Sequence, residues 1–167
     1  MKTIVFTLFF SVVSNASIDT SLQKTLSWGK HAGVAATMSD YTKLLMTFGP
    51  FGYAATTKRP WQALGYTAAA HGAVSALTLV TKFITGRVRP DGKDTNSFFS
   101  GHTSAAATGA GLMCLQTSRL CVPSIALAAL TGYLRVAGDR HFPSDVLVGF
   151  GVGFAGGYYI PTLMVSF

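Results

Sequence analysis

Charge in this chain is pushed into the connections between long apolar stretches. Five segments rich in Ala, Leu, Val, Gly, Thr and aromatics run at roughly 41–57, 61–85, 103–118, 122–137 and 144–164. Between them lie Lys58-Arg59-Pro60, the 86–102 stretch, Ser118-Arg119, and Gly138 to Pro143. None of the segments alternates strictly, as a half-buried strand would, and their lengths favour helices. The pattern predicts an all-α fold, a helical bundle of about five to six helices with its polar chemistry at the helix ends. A hydrophobic fraction of 49% and a mean hydropathy of +0.40, with only 11% of residues charged, suit a membrane or a very apolar globule. Each segment is short for a hydrocarbon layer of about 30 Å. Threading five spans from an outside N-terminus nevertheless puts Lys58-Arg59 and Arg119 inside, as the positive-inside rule asks, and the 86–102 and 138–143 connections outside. A transmembrane bundle is the expectation, and a soluble periplasmic globule the alternative.

The N-terminus reads as a secretory signal: Lys2, an apolar run from Ile4 to Val13, then Ser14-Asn15-Ala16 as the small-residue site. Residues 1–16 are therefore expected to be a signal peptide, or an uncleaved anchor, ahead of one domain over 17–167. From Ser17 to about Ser39 the composition is polar and mixed, as in a surface helix or arm. The net charge of +7 invites a nucleic-acid reading, yet there is no basic helix face and no aromatic-basic interleaving. No nucleic-acid partner is expected. Cys114 and Cys121 lack metal-ligand spacing and read as inert thiols, with a disulfide as the alternative.

Three stretches carry chemistry. Lys82 and Arg89 lie two helical turns apart, so they share a face if the helix continues. Arg89 can grip two phosphate oxygens with its planar fork while Lys82 supplies a point charge. Ser100-Gly101-His102-Thr103 precedes an Ala-rich helix. Its cap, its glycine and its free amides make an anion site, with His102 placed to give a proton to a departing oxygen. In His141-Phe142-Pro143-Ser144-Asp145, Pro143 suits the first helical position and Asp145 can reach back to His141. A carboxylate-held histidine is a directed nucleophile or base, and Arg135 adds a cation beside it. Each piece alone has a plainer explanation: snorkelling cations, a capped helix start, a structural His–Asp contact. Zinc on His102, His141 and Asp145 is disfavoured, because Lys82, Arg89 and Arg135 would repel it. No metal or cofactor is expected.

Taken together, the motifs resemble the PAP2 (type 2 phosphatidic acid phosphatase) superfamily, whose signature is KxxxxxxRP, then PSGH, then SRxxxxxHxxxD. The first motif is met in full at Lys82, Arg89 and Pro90; the second has Phe99 where Pro is usual, and the third has Leu134 where Ser is usual. Leu134 thus removes one hydroxyl that could have supported the anion. The resemblance implies metal-independent hydrolysis of a phosphate ester through a phosphohistidine. It would make His141 the nucleophile, Asp145 its orienting carboxylate and His102 the proton donor. Lys82, Arg89, Ser100, Gly101 and Arg135 would bind the phosphoryl oxygens. The expected partners are a lipid phosphate substrate and membrane lipids: phosphatidic acid, phosphatidylglycerol phosphate, undecaprenyl pyrophosphate or lipid A. The expected place is the bacterial inner membrane with the site facing the periplasm. A soluble periplasmic acid phosphatase and a non-catalytic membrane protein are the alternatives, and the oligomeric state is left open.

Other features read as structural. Gly151-Val152-Gly153-Phe154-Ala155-Gly156 matches GxGxxG, but no strand precedes it and no βαβ unit surrounds it. Gly149, Gly153 and Gly157, four apart, suit close helix packing instead. His71 reads as a packed histidine and His31 as an exposed one. Arg87, Lys93, Asp139 and Arg140 flank the motifs as candidate entrance residues.

Overall fold

The computed structural model describes residues 16–165. The expected signal lies outside them, apart from Ala16, which opens the first helix. Six helices follow: α1 (Ala16–Leu26), α2 (Ala32–Ala55) after a 3-10 turn at Gly29–His31, α3 (Pro60–Thr85), α4 (Gly101–Gln116), α5 (Ser118–Ala137) and α6 (Pro143–Val165). Among the described residues there is no strand, so the all-α expectation holds. The segment expected at 41–57 begins earlier, at Ala32, because Ala35 and Ala36 are buried, Ala35 against Leu134 and Ala137 of α5.

The helix ends follow local chemistry. Pro60 and Pro143 open α3 and α6, where a missing N–H costs nothing. Gly86 stops α3 in the left-handed conformation, φ 53°, and its N–H returns to the Lys82 carbonyl. The helix ends at Thr85, as the 61–85 segment led one to expect, so the condition under which Lys82 and Arg89 would share a helical face is not met. Arg89 belongs to the 86–100 connection, which closes on itself: Ser97 N–H donates to Arg87 O at 2.9 Å and Arg89 N–H to Asp94 O at 3.0 Å.

Helix α4 is the axis of the bundle. It is Ala- and Gly-rich because other backbones lie against it: a Cβ on Gly109 would fall 1.8 Å from Met46 O of α2. On its other side, Cβ atoms on Gly149, Gly153 and Gly157 of α6 would meet the carbonyls of Ser100, Ser104 and Thr108 at 2.8, 2.2 and 2.1 Å. The glycine stripe is therefore a packing device, as expected; in lipid, where apolar burial drives little, such backbone contact holds helices together. Helices α2, α4 and α6 run away from one end of the bundle and α3 and α5 run towards it. Both chemistry-bearing connections and the α1–α2 turn gather at that end.

Helices α3, α5 and α6 are each long and apolar enough to cross a membrane, over Pro60–Thr85, Ser118–Ala137 and Pro143–Met164. Their outer faces present large apolar groups, with Phe83 91% exposed and Trp61, Ile84, Val122 and Leu163 also outward. Of the five segments expected to span, α2 departs by carrying Asp40 and Lys43, and α4 by its 16 residues and central position.

The cysteines correct the sequence reading. Cys114 and Cys121 form a disulfide, not a pair of inert thiols. Thr117 is extended between α4 and α5 and folds the chain back, which brings the last turn of one helix against the first turn of the next. The bond lies at the end of the bundle opposite the motifs.

Candidate active site

Residue His141 sits in the short α5–α6 connection and is 1% exposed. The connection is pinned by the amides of Arg140 and His141 returning to Arg135 O at 3.0 and 3.3 Å, and it turns through Asp139 at φ 56°, a conformation Asp tolerates. His141 Nδ1 lies 2.8 Å from the Ser97 carbonyl and 3.8 Å from Asp145 Oδ2. A carbonyl can only accept, so Nδ1 carries the proton and Nε2 keeps its lone pair. Asp145 thus reaches His141 as expected, but the hydrogen bond that fixes the tautomer comes from Ser97. Burial lowers His141 to about 4, with Asp145 working against the shift, so the ring is neutral at pH 7.

Asp145 is fully buried and fully engaged. Its Oδ2 accepts from Ser97 Oγ at 2.5 Å and from the Phe142 amide at 3.0 Å, and its Oδ1 from Arg87 Nη1 at 2.6 Å. Arg87 extends the chain outwards: Nη2 donates to Asp19 Oδ2 at 2.6 Å, and the guanidinium stacks 4.4 Å above the Phe142 ring. Asp19 of α1, 4% exposed, also accepts from the Ser144 amide at 3.0 Å and from the Ser144 hydroxyl. Helix α1 is therefore strapped onto the site and does not lie as a free arm.

Helix α4 presents the second group. Ser100 caps it, its Oγ accepting from Thr103 N–H and from Thr103 Oγ1. That leaves the Ser100 proton free to donate, and Gly101 offers a first-turn amide. His102 Nε2 is 2.8 Å from Asp40 Oδ1 of α2. Beside them lies Arg135, 5% exposed, whose Nη1 is 3.2 Å from Ser39 Oγ and 3.6 Å from Asp40 Oδ1 and whose buried Nε has no partner. Lys82 passes Gly101, where a Cβ would meet its Cε at 3.8 Å, and its ammonium donates to Asn96 O. Arg89 donates from Nε to Asp94 at 2.7 Å, leaving the rest of its fork. Arg89 acts on the charges of both Lys82 and Arg135, and Lys82 and Arg135 on that of His141.

All eight residues singled out from the sequence thus stand at one end of the bundle. Ser97, Asp19 and Asp40 carry no signal in the sequence, and Arg87 stood there only as a flanking residue. Phe99 and Leu134, the two departures from the signature, are buried in the core. His71 stacks on Phe51 at 5.8 Å, with no hydrogen bond at its buried Nε2. Arg140 pairs with Asp91, and Asp139 accepts from Gln23.

A two-histidine, three-cation cluster at the end of an apolar helical bundle defines a class: the chain belongs to the PAP2 superfamily, whose family model matches residues 60–166. It is a membrane protein. Two relatives place it further. It is 34% identical over 121 residues to the lipid A 1-phosphatase of Porphyromonas gingivalis, a match covering 68% of this chain and 27% of that one. The chain therefore spans about a quarter of the length of that relative. Its fold matches the crystal structure of a transmembrane PAP2 type phosphatidylglycerolphosphate phosphatase from Bacillus subtilis, with a TM-score of 0.69 and 21% identity over 98% of this chain and 94% of the other.

Proposed function

We propose that this protein is a metal-independent phosphatase of a lipid phosphate monoester or diphosphate, working through a phosphohistidine. The carrying observation is Arg135: a guanidinium buried between the two histidine sites with an unpaired Nε, which a phosphoryl oxygen would satisfy. Lys82, Arg89 and Arg135, the Ser100 hydroxyl and the Gly101 amide hold the phosphoryl oxygens where charge accumulates in the transition state. His141 Nε2 attacks phosphorus. The N–P bond forms as the bond to the leaving oxygen breaks, and His102 gives that oxygen its proton. Water then attacks phosphorus, returns a proton to His102 and releases phosphate and neutral His141. Burial above all, with Arg135 and Lys43 beside it, disfavours a charged His102 and lowers it to about 3, while Asp40 works the other way. A bound phosphate dianion offsets the repulsion from those cations, so the proton and the substrate are held together.

The lipid substrate is supported by the apolar outer faces of α3, α5 and α6 and by the lipid phosphatases among its relatives. Phosphatidic acid, phosphatidylglycerol phosphate, undecaprenyl pyrophosphate and lipid A remain the candidates. The same faces weigh against a soluble periplasmic acid phosphatase. Lys58, Arg59 and Arg119 at the far end support an inner-membrane orientation with the site towards the periplasm. A cleaved signal over 1–16 ahead of one phosphatase domain belongs to the same reading. The test is phosphate release by detergent-purified protein from a panel of lipid phosphates with EDTA present. Activity should survive the chelator and vanish in His141→Ala; full activity in that variant would refute the nucleophile.

A further inference from the structure

A cleft of about 300 Å³ opens beside the cluster, between α2, α3 and α4. Lys82 and His102 line it next to the site, Ser75 and Leu79 line it along α3, and Lys43 of α2 completes the wall. Ser75 precedes Lys82 by two helical turns, about 10 Å, and Lys43 lies nearly one turn beyond Asp40. The cleft thus runs from the leaving-group side of the site down the flank of the bundle.

Lys43 is half-buried, and it has neither hydrogen bond nor ion pair with another described residue. The carboxylate one turn away on its own helix, Asp40, is engaged with His102 and Arg135. An ammonium that faces a cleft without a salt bridge to a described residue is free to pair with an anionic ligand there. Its position selects the ligand: Lys43 lines the same cleft as His102, the proton donor to the leaving oxygen, and its charge acts on that ring.

We infer that Lys43 forms a second anion subsite, one phosphorus beyond the scissile one, and that the substrate is a lipid diphosphate. The inference rests on the phosphatase reading above. In a diphosphate the atom facing His102 is the bridging oxygen. As His141 Nε2 bonds to the terminal phosphorus, the bridging P–O bond breaks and its electron pair goes to the second phosphoryl group. The proton of His102 settles on that group, and a lipid monophosphate departs along the cleft. A fixed cation there gains most while that charge develops. In a monophosphate ester the leaving oxygen is bound to carbon, and Lys43 meets no second anion. Leu79 and the exposed apolar face of α3 lie beside the cleft, on the path of the tail.

The experiment compares kcat/KM for farnesyl diphosphate and farnesyl monophosphate in detergent micelles. Lys43→Met should lose about 30-fold on the diphosphate and less than about threefold on the monophosphate, while Lys43→Arg keeps most of the diphosphate rate. Equal losses on both substrates, or no loss on either, would overturn the subsite. A second arm needs no turnover: binding of methylenediphosphonate and inorganic phosphate to the unaltered protein and to Lys43→Met, the preference for the diphosphonate being expected to vanish in the variant. The diphosphonate should bind at least about tenfold tighter, and equal affinity would overturn the subsite. If the unaltered protein releases phosphate from no member of the lipid phosphate panel, the phosphatase reading fails, and the comparison of diphosphonate binding between it and Lys43→Met then decides the subsite.

Discussion

Replacing Gly153 by Ala should part α4 from α6 and break the site without touching any residue in it. An added Cβ would stand 2.2 Å from Ser104 O and 2.8 Å from its Cα, which are backbone atoms of the central helix and cannot swing aside. Restoring ordinary contact requires the helices to separate by about 1 Å, and overpacking of this kind costs about 1–3 kcal/mol. Gly151, half a turn away, has nothing within 4 Å of its added Cβ. Gly151→Ala therefore collects the gain in helix propensity, about 1 kcal/mol, without the clash. The two variants should differ by about 2 kcal/mol, on the order of 4–8 °C in melting temperature for a chain of this size. Activity should separate them further. Helix α4 carries Ser100, Gly101 and His102, while α6 carries Asp145 and anchors His141. A misplacement of about 1 Å between such groups costs on the order of 100-fold in rate. Thermal unfolding and phosphate release, both in detergent, measure the two effects. If Gly153→Ala melts within a degree of Gly151→Ala and keeps full activity, the backbone contact between α4 and α6 is refuted.

Two further outcomes follow from the charges. His141 is depressed to about 4 from an ordinary 6.5, so between those values the unfolded chain binds more protons. The stability that depends on the neutral ring is complete above pH 6.5 and is lost as pH falls towards 4, by about 3 kcal/mol in all. Melting curves of the native protein and His141→Gln should converge over that window, and parallel curves would contradict the burial argument. Arg87→Met strands two buried carboxylates, Asp19 and Asp145, and should cost about 2–3 kcal/mol after allowing for the quarter of Arg87 that is exposed. Its kcat should fall at least about tenfold with little change in KM, because Arg87 positions Asp145 and does not hold the phosphate; its effect should be non-additive with Asp19→Asn.

What the sequence made legible was local. Ser100 as a cap, Pro143 as a helix start, and the glycine stripe of α6 each announce themselves within a few residues, and the structure uses each as read. The end of α3 near Thr85 was legible as well, but the position of Arg89 beyond it was not, because a seven-residue spacing defines a shared face only while the helix continues. Asp19 reaches Ser144 across 125 positions, Ser97 reaches Asp145 across 48, and Asp40 reaches His102 across 62. No periodicity encodes such pairings, since only the folded bundle brings α1, α2 and the 86–100 connection to one end. The cysteine pair could have been found: Cys114 and Cys121 stand symmetrically about the Thr117-Ser118 junction, as residues facing across a tight helical turn would.

That pair has a consequence for the living cell. The Cys114–Cys121 bond lies at the same end of the bundle as Lys58, Arg59 and Arg119, and the two features answer to different compartments. Basic residues are retained on the cytoplasmic side, where glutathione and thioredoxin keep thiols reduced, whereas a disulfide persists on the oxidising side. The oxidation state of these two sulfurs is therefore a built-in compass for the whole molecule. Alkylation of intact cells before lysis reads it: the closed bond of the structure, where it persists in the cell, sets this end on the oxidising side and weighs against the periplasmic orientation that Lys58, Arg59 and Arg119 support, whereas free thiols there uphold that orientation.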